Sequence, residues 1–186
     1  MNLQVAWAPP VVRTPRLVIR PFTVDDLEPV HAFARAYPAS VYGSWLGGSA
    51  PSDVARYLAD TIARYGRPPR CDVGVAVDGR LVGSVAFRQV WVDPPALDVG
   101  WVIHPDYAGR GLVREALAAL ITTLFERFPD MSRVESRVRA SDTNGVRMLE
   151  GFGFVREGVL RQGAGNQGDA AIFGVLRSEW TPGGDA

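Results

Sequence analysis

The segment best equipped for chemistry is residues 102–117, VIHPDYAGRGLVREAL. A short apolar stretch ends at His104-Pro105, a turn carrying Gly109 and Gly111 follows, and a helical repeat starts at once. Glycine lets a backbone turn tightly and come close to a ligand. A helix N-terminus presents amide N–H groups without intrahelical acceptors and about half a positive charge. Strand, glycine turn and helix start in succession make an anion site, suited to a phosphate or pyrophosphate. Arg110 and Arg114 add positive charge at the same place. A plain tight turn without a ligand fits the same residues. Two other phosphate loops are excluded: no Gly-Lys-Ser/Thr is present, and the third glycine of a dinucleotide fingerprint is missing.

The groups that could move protons or attack an acyl carbon are few. Asp98 interrupts the apolar run ALDVGWVI at 96–103, either as a working base or as a strand-edge carboxylate facing water. Glu135 and Glu150 each fit a solvated face. Cys71 is the single cysteine, which excludes an internal disulfide and a four-thiolate zinc site, and its neighbour Asp72 does not lower a thiol pKa. It reads as inert. His104 closes a strand and His31 lies on the first helix, facing either a cleft or solvent. All 20 basic residues are arginine, so no lysine Schiff base can form. No metal site is expected.

The positioning elements follow from periodicity. Residues 16–22 (RLVIRPF) alternate as a strand. Thr23 and Asp26 resemble a capping box before a helix carrying Leu27, Val30 and Ala34. A second helix spans about 52–65. Strands at 72–77 and 81–90 flank Asp78-Gly79, a strong hairpin signal. A strand at 96–103, a helix at 111–128, a strand at 133–139, a helix at 142–151 and strands at 153–159 and 169–176 complete the order. That order gives a mixed α/β sheet with helices on its faces. Residues 12–180 read as one domain, 1–11 as an arm and 181–186 as a flexible tail. With 186 residues, 20 basic against 20 acidic side chains and no apolar run of membrane length, the chain reads as a cytoplasmic protein. It does not read as a nucleic-acid or membrane binder.

Several segments together resemble the GNAT acyltransferase superfamily, most closely the branch acting on ribosomal-protein N-termini. The stretches are TPRLVIRPFTVDDL near the start, Asp98-Val99-Gly100-Trp101, Pro105 through Val113 followed by Glu115-Ala116, LEGFGFVREG at 149–158, and LRSEW at 176–180. They occur in the family's order over about residues 13–180. The resemblance implies a GNAT fold: a largely antiparallel sheet of about six to seven strands, helices on both faces, and a splay between the fourth and fifth strands. It implies acetyl-CoA or another acyl-CoA as cofactor, with succinyl among the alternatives. Gly109, Arg110, Gly111, Leu112, Val113 and Arg114 would hold the pyrophosphate. Val102, Ile103 and His104 would pair with the pantetheine arm.

The acceptor implied is a primary amine on a small molecule or a protein N-terminus, with Asp98 as base. Phe33, Tyr37, Trp45 and Trp91 fall where relatives build the acceptor pocket, and Trp91 also suits a homodimer contact. The chain departs from the family at Ala108, Val113, Leu149 and Gly145. Leu149 replaces a tyrosine acid and Gly145 a serine, which leaves Ser141, Thr143 or Asn144 to hydrogen-bond the thiol. These departures also suit a non-catalytic acyl-CoA-binding sensor or partner subunit.

Overall fold

The computed structural model describes residues 7–37, 50–92 and 95–182. Its strands are β1 (Val12–Arg13), β2 (Val18–Arg20), β3 (Arg70–Val77), β4 (Arg80–Val92), β5 (Pro95–Ile103), β6 (Arg133–Arg139), β7 (Val155–Leu160) and β8 (Ala170–Leu176). Its helices are α1 (Leu27–Arg35), α2 (Pro51–Arg64), α3 (Leu112–Arg127) and α4 (Thr143–Glu150). The strands form one sheet in the order β1-β2-β3-β4-β5-β6-β8-β7. The β3–β4 hairpin turns at Asp78 and Gly79, whose φ angles of 50° and 77° are both left-handed, as a primed turn requires. No helix among the described residues is long and apolar enough to cross a membrane.

The sheet has one parallel join among the described strands, and it is short. β5 and β6 pair only through Ala96–Arg133, Leu97–Val134 and Asp98–Glu135. Beyond Asp98 the two strands diverge, although β5 continues to Ile103 and β6 to Arg139. This is the expected splay, between the fifth and sixth strands because the chain has an additional β1.

The two faces carry separate cores. Leu112, Ala116, Leu117, Leu120, Ile121 and Leu124 of α3 pack on Leu97, Val99 and Ile103 of β5 and Val134 of β6. On the opposite face α1 and α2 enclose Phe22, Val30, Phe33, Val54, Leu58, Leu81 and Val102. Strand alternation sends Val102 to the second core and its neighbours Trp101 and Ile103 toward the first. At the far end of α3, Arg177 donates to the carbonyl oxygens of Phe125 (2.9 Å), Phe128 (2.6 Å) and Met131 (2.8 Å). A guanidinium among the last carbonyls of a helix satisfies them and complements the dipole. The helix is thus held at its C-terminal end as well as along its buried face.

One segment is placed and one boundary is corrected. The segment read as an arm, 1–11, holds Trp7 buried at 2 % exposure, with its ring stacked 5.2 Å from Phe87, and β1 follows directly after it. Covering so large an aromatic surface is favourable enough to tie down a terminal segment. The last hairpin also starts later than 153, because Phe152 and Phe154 are both turned into the core.

Candidate active site

The fork between β5 and β6 exposes a defined set of backbone groups. The amide of His104 donates to the Val82 carbonyl at 2.7 Å, which makes that pair a hydrogen-bonded one in the β4–β5 ladder. Antiparallel pairing alternates, so Val102 and Gly100 also direct their backbone groups to β4, and Val99, Trp101 and Ile103 direct theirs into the fork. Two contacts agree with that assignment. Ser136 Oγ donates to the Val99 carbonyl at 2.9 Å, and the Tyr37 hydroxyl donates to the Ile103 carbonyl at 2.5 Å. The fork therefore has a serine at its vertex, a tyrosine at its mouth, and Trp101 between them.

The glycine turn lies where β5 ends. Gly109 and Gly111 have φ angles of 72° and 73°, a region open mainly to glycine. Gly111 is the N-cap of α3. The first amide of this segment with a backbone acceptor is that of Glu115, which donates to the Gly111 carbonyl at 3.1 Å. Glu115 fixes the turn from the other side. Its carboxylate accepts from the Thr14 hydroxyl and the Arg16 side chain, both at 2.5 Å. Arg16 also donates to the Arg110 carbonyl at 2.8 Å. Burial raises the Glu115 pKa, and the hydrogen bonds from Thr14 and Arg16 outweigh it, leaving the carboxyl below its ordinary range. Leu112 points into the core at 5 % exposure and offers only its amide. A hollow of about 620 Å³ opens beside the turn, between Thr14, Arg16, Gly111, Arg114 and Phe152.

Asp98 stands at the vertex, on the α1/α2 face. It pairs directly with Arg88 of β4 and Glu135 of β6, so all three side chains share that face. Its side chain is 16 % exposed, and a nitrogen of Arg88 lies 3.5 Å from it. Burial pushes its pKa above the ordinary carboxylate value, against the pull of Arg88 and Arg137 and with the help of Glu135. Next to it on the face, Gly100 leaves open space where a Cβ would sit. Ala86 and Ser84 are the small cross-strand neighbours, and together they floor a hollow of about 170 Å³ walled by Arg70 and Asp72. Asp72 is 2 % exposed and accepts both hydrogen bonds of a forked pair from Arg70, at 2.7 and 2.6 Å.

The other expected residues are placed unevenly. Tyr37 reaches the fork, and Trp91 donates its indole N–H to Glu135 at 3.3 Å on the Asp98 face. Phe33 is wholly buried between the helices and the sheet. Trp45 lies outside the described residues. The side chain of His104 accepts the Asp106 amide at 3.2 Å, and its backbone N–H faces β4, so neither of these groups enters the fork. Ser141 and Asn144 are exposed at the start of α4. Val113 is partly buried against the main core and, like Leu112, has its backbone amide at the helix start. Leu149 is fully buried and has no acidic proton to give. Glu135, read as a solvated carboxylate, is 6 % exposed, with Arg133 at 3.3 Å and Arg137 at 3.8 Å. Burial pushes the Cys71 thiol up to about 12, so it stays protonated and unreactive.

Sequence reasoning missed Ser136, Arg70 and Asp72. Arg70 and Asp72 are two apart on one strand and hence on one face, a signal that was present; Ser136 carried none. Gly145 has a local explanation. Asp142 caps α4 by accepting the Gly145 amide at 3.0 Å, and a Cβ at position 145 would come 2.9 Å from its carboxylate. Gly145→Ser is expected to displace that cap and cost about 1 kcal/mol. Calorimetry should read this as a Tm lowered by roughly 2–4 °C. An unchanged Tm would show that Asp142 moves aside freely.

Comparison with known proteins gives a consistent result. The profile of the acetyltransferase (GNAT) domain matches residues 16–155. YdaF of Bacillus subtilis, provisionally named a ribosomal N-acetyltransferase, is 25 % identical over 146 residues, covering 74 % of this chain and 79 % of its own. Mycobacterium smegmatis RimJ, solved with a coenzyme A disulfide, superposes with a TM-score of 0.78 at 20 % identity, over 94 % of this chain and 90 % of its own. The ribosomal L7/L12 α-N-protein acetyltransferase RimL, solved with coenzyme A, gives 0.79 at 15 % identity, over 90 % and 98 %.

Proposed function

This chain belongs to the GNAT acetyltransferase family, and from that premise we propose that it moves an acetyl group from acetyl-CoA to a primary amine, directly, in a ternary complex. The observation that carries the reading is the conjunction of the glycine turn, the fork and a buried carboxylate at its vertex. Acetyl-CoA supplies the acyl group as a thioester. The amides of residues 109–113 lie where helix-start N–H groups face an anion, and they hold the pyrophosphate. The hollow beside Arg114 has room for the attached nucleotide. Trp101 and the Ile103 amide, turned into the fork, bind the pantetheine arm as an added strand would be bound. Asp98 takes the proton of the incoming amine. A free α-amine titrates near pH 8, so it needs such a partner at neutral pH.

The test is release of coenzyme A thiol when purified protein is mixed with acetyl-CoA and a panel of amines. Amine-dependent release supports catalysis. Binding without release across the panel supports the second reading, an acyl-CoA sensor, which the buried Leu149 and the Gly145 replacement favour.

A further inference from the structure

Asp98 belongs to a row of side chains that crosses the sheet: Arg70 on β3, Arg88 on β4, Asp98 on β5 and Glu135 on β6. The arginines on this face are engaged unequally. Arg70 is committed to Asp72 through two short bonds. Arg133 donates twice to Glu157, at 3.1 and 2.6 Å. Arg88 and Arg137 are held loosely, at 3.5 Å from Asp98 and 3.8 Å from Glu135, with side chains 47 % and 40 % exposed. They flank Asp98 from the strands on either side, β4 and β6.

The proton balance of acyl transfer bears on these two cations. The neutral amine nitrogen bonds to the acyl carbon, the carbon–sulfur bond breaks, coenzyme A leaves as the thiolate, and the amine proton passes to Asp98. Until that proton is returned through solvent to the thiolate, Asp98 is neutral and Arg88 has lost the charge of its partner. A neutral or cationic acceptor leaves that positive charge uncompensated, and an acceptor with its own anion compensates it. The geometry limits how far that anion can be from the reacting nitrogen. Arg88 is the direct cross-strand partner of Asp98, 3.5 Å away, and Arg137 lies 3.8 Å from Glu135, the partner of Asp98 on the other side. An anion between the two arginines is therefore only a short span of acceptor from a nitrogen at Asp98.

We infer that the acceptor is a primary amine with a carboxylate one or two carbons from the nitrogen, the carboxylate held between Arg88 and Arg137 while the nitrogen faces Asp98. This rests on the acyl-transfer reading of the same site. A free α-amino acid and a peptide whose first residue is aspartate share this chemistry.

The experiment compares kcat/KM for L-alanine with alaninamide, and for an Asp-Ala amide with an Ala-Ala amide, with spermidine as the cationic control. At least one acidic acceptor should exceed its neutral counterpart by about tenfold or more, the gain of a charge-assisted contact. The first pair reports a free amino acid and the second an acidic N-terminus. Arg88→Gln and Arg137→Gln should each narrow that ratio several-fold, chiefly through KM; Arg137→Gln, on the more loosely held side chain, serves alone if the first variant unfolds. Neutral amines or spermidine equal to or better than the acids overturn the inference, as does a ratio unmoved in the folded variants. If no amine releases thiol, acyl transfer itself has failed. Calorimetry of the coenzyme A-loaded protein with N-acetylalanine against its amide then reads the clamp alone, and equal binding overturns it.

Discussion

Asp98→Asn is expected to lower kcat by ten- to a thousandfold while leaving coenzyme A affinity nearly unchanged. The split follows from position. The side chain lies on the α1/α2 face at the vertex of the fork, whereas the glycine turn lies past the end of β5, beyond Ile103. An asparagine keeps the size and cannot accept the proton. The pH profile gives an independent readout. Because burial raises this carboxyl, the acid limb of kcat/KM should lie above the ordinary carboxylate range, with activity falling as pH drops through it. That limb should vanish in the variant. Stability should not suffer: a carboxyl whose folded pKa is raised disfavours folding at pH above that pKa, so neutralising it removes a cost. Steady-state kinetics from pH 5 to 9 and a melting curve check all three. An unchanged kcat removes Asp98 from the mechanism.

The second large effect is on binding. Gly111→Asp should weaken coenzyme A by about ten- to a hundredfold, read by calorimetry, without unfolding the protein. The position has φ 73°, which aspartate tolerates better than most residues, and a carboxylate at a helix N-terminus is favourable to the helix itself. A Cβ there meets only an end nitrogen of Arg16, at 3.4 Å. What the substitution opposes is a second anion at the same amides, which like-charge repulsion and occupied N–H groups both resist. Equal affinity in a folded variant would move the pyrophosphate site elsewhere.

Much of this arrangement was legible in the order of residues because it rests on local rules. Asp78-Gly79 announces its turn, the repeat Leu117, Leu120, Leu124 announces α3, and Gly109 and Gly111 mark the turn that precedes it through conformations other residues avoid. Asp98 stood out because a carboxylate within an apolar strand needs a reason. What was not legible depends on distant segments meeting. Glu135 looks solvated beside its chain neighbours, and it is the joining of β5 to β6, with Trp91 laid across, that buries it. The complete burial of Phe33 is not legible either, because only the packing of two helices on the sheet shows which way it turns. Trp7 carried no periodic signal at all, and its burial follows from the space beside Phe87.

The three-residue join between β5 and β6 has a consequence for folding energetics. A sheet held in its middle by so few pairs has a mechanical weak point, and whatever fills the gap acts as a splint. Ligand occupancy should therefore be felt on both flanks at once: hydrogen–deuterium exchange at Trp101 and Ile103 on one strand and at Arg137 and Arg139 on the other should slow together. The gain in global stability should follow the mass-action law, about 2.7 kcal/mol at a hundred times the dissociation constant.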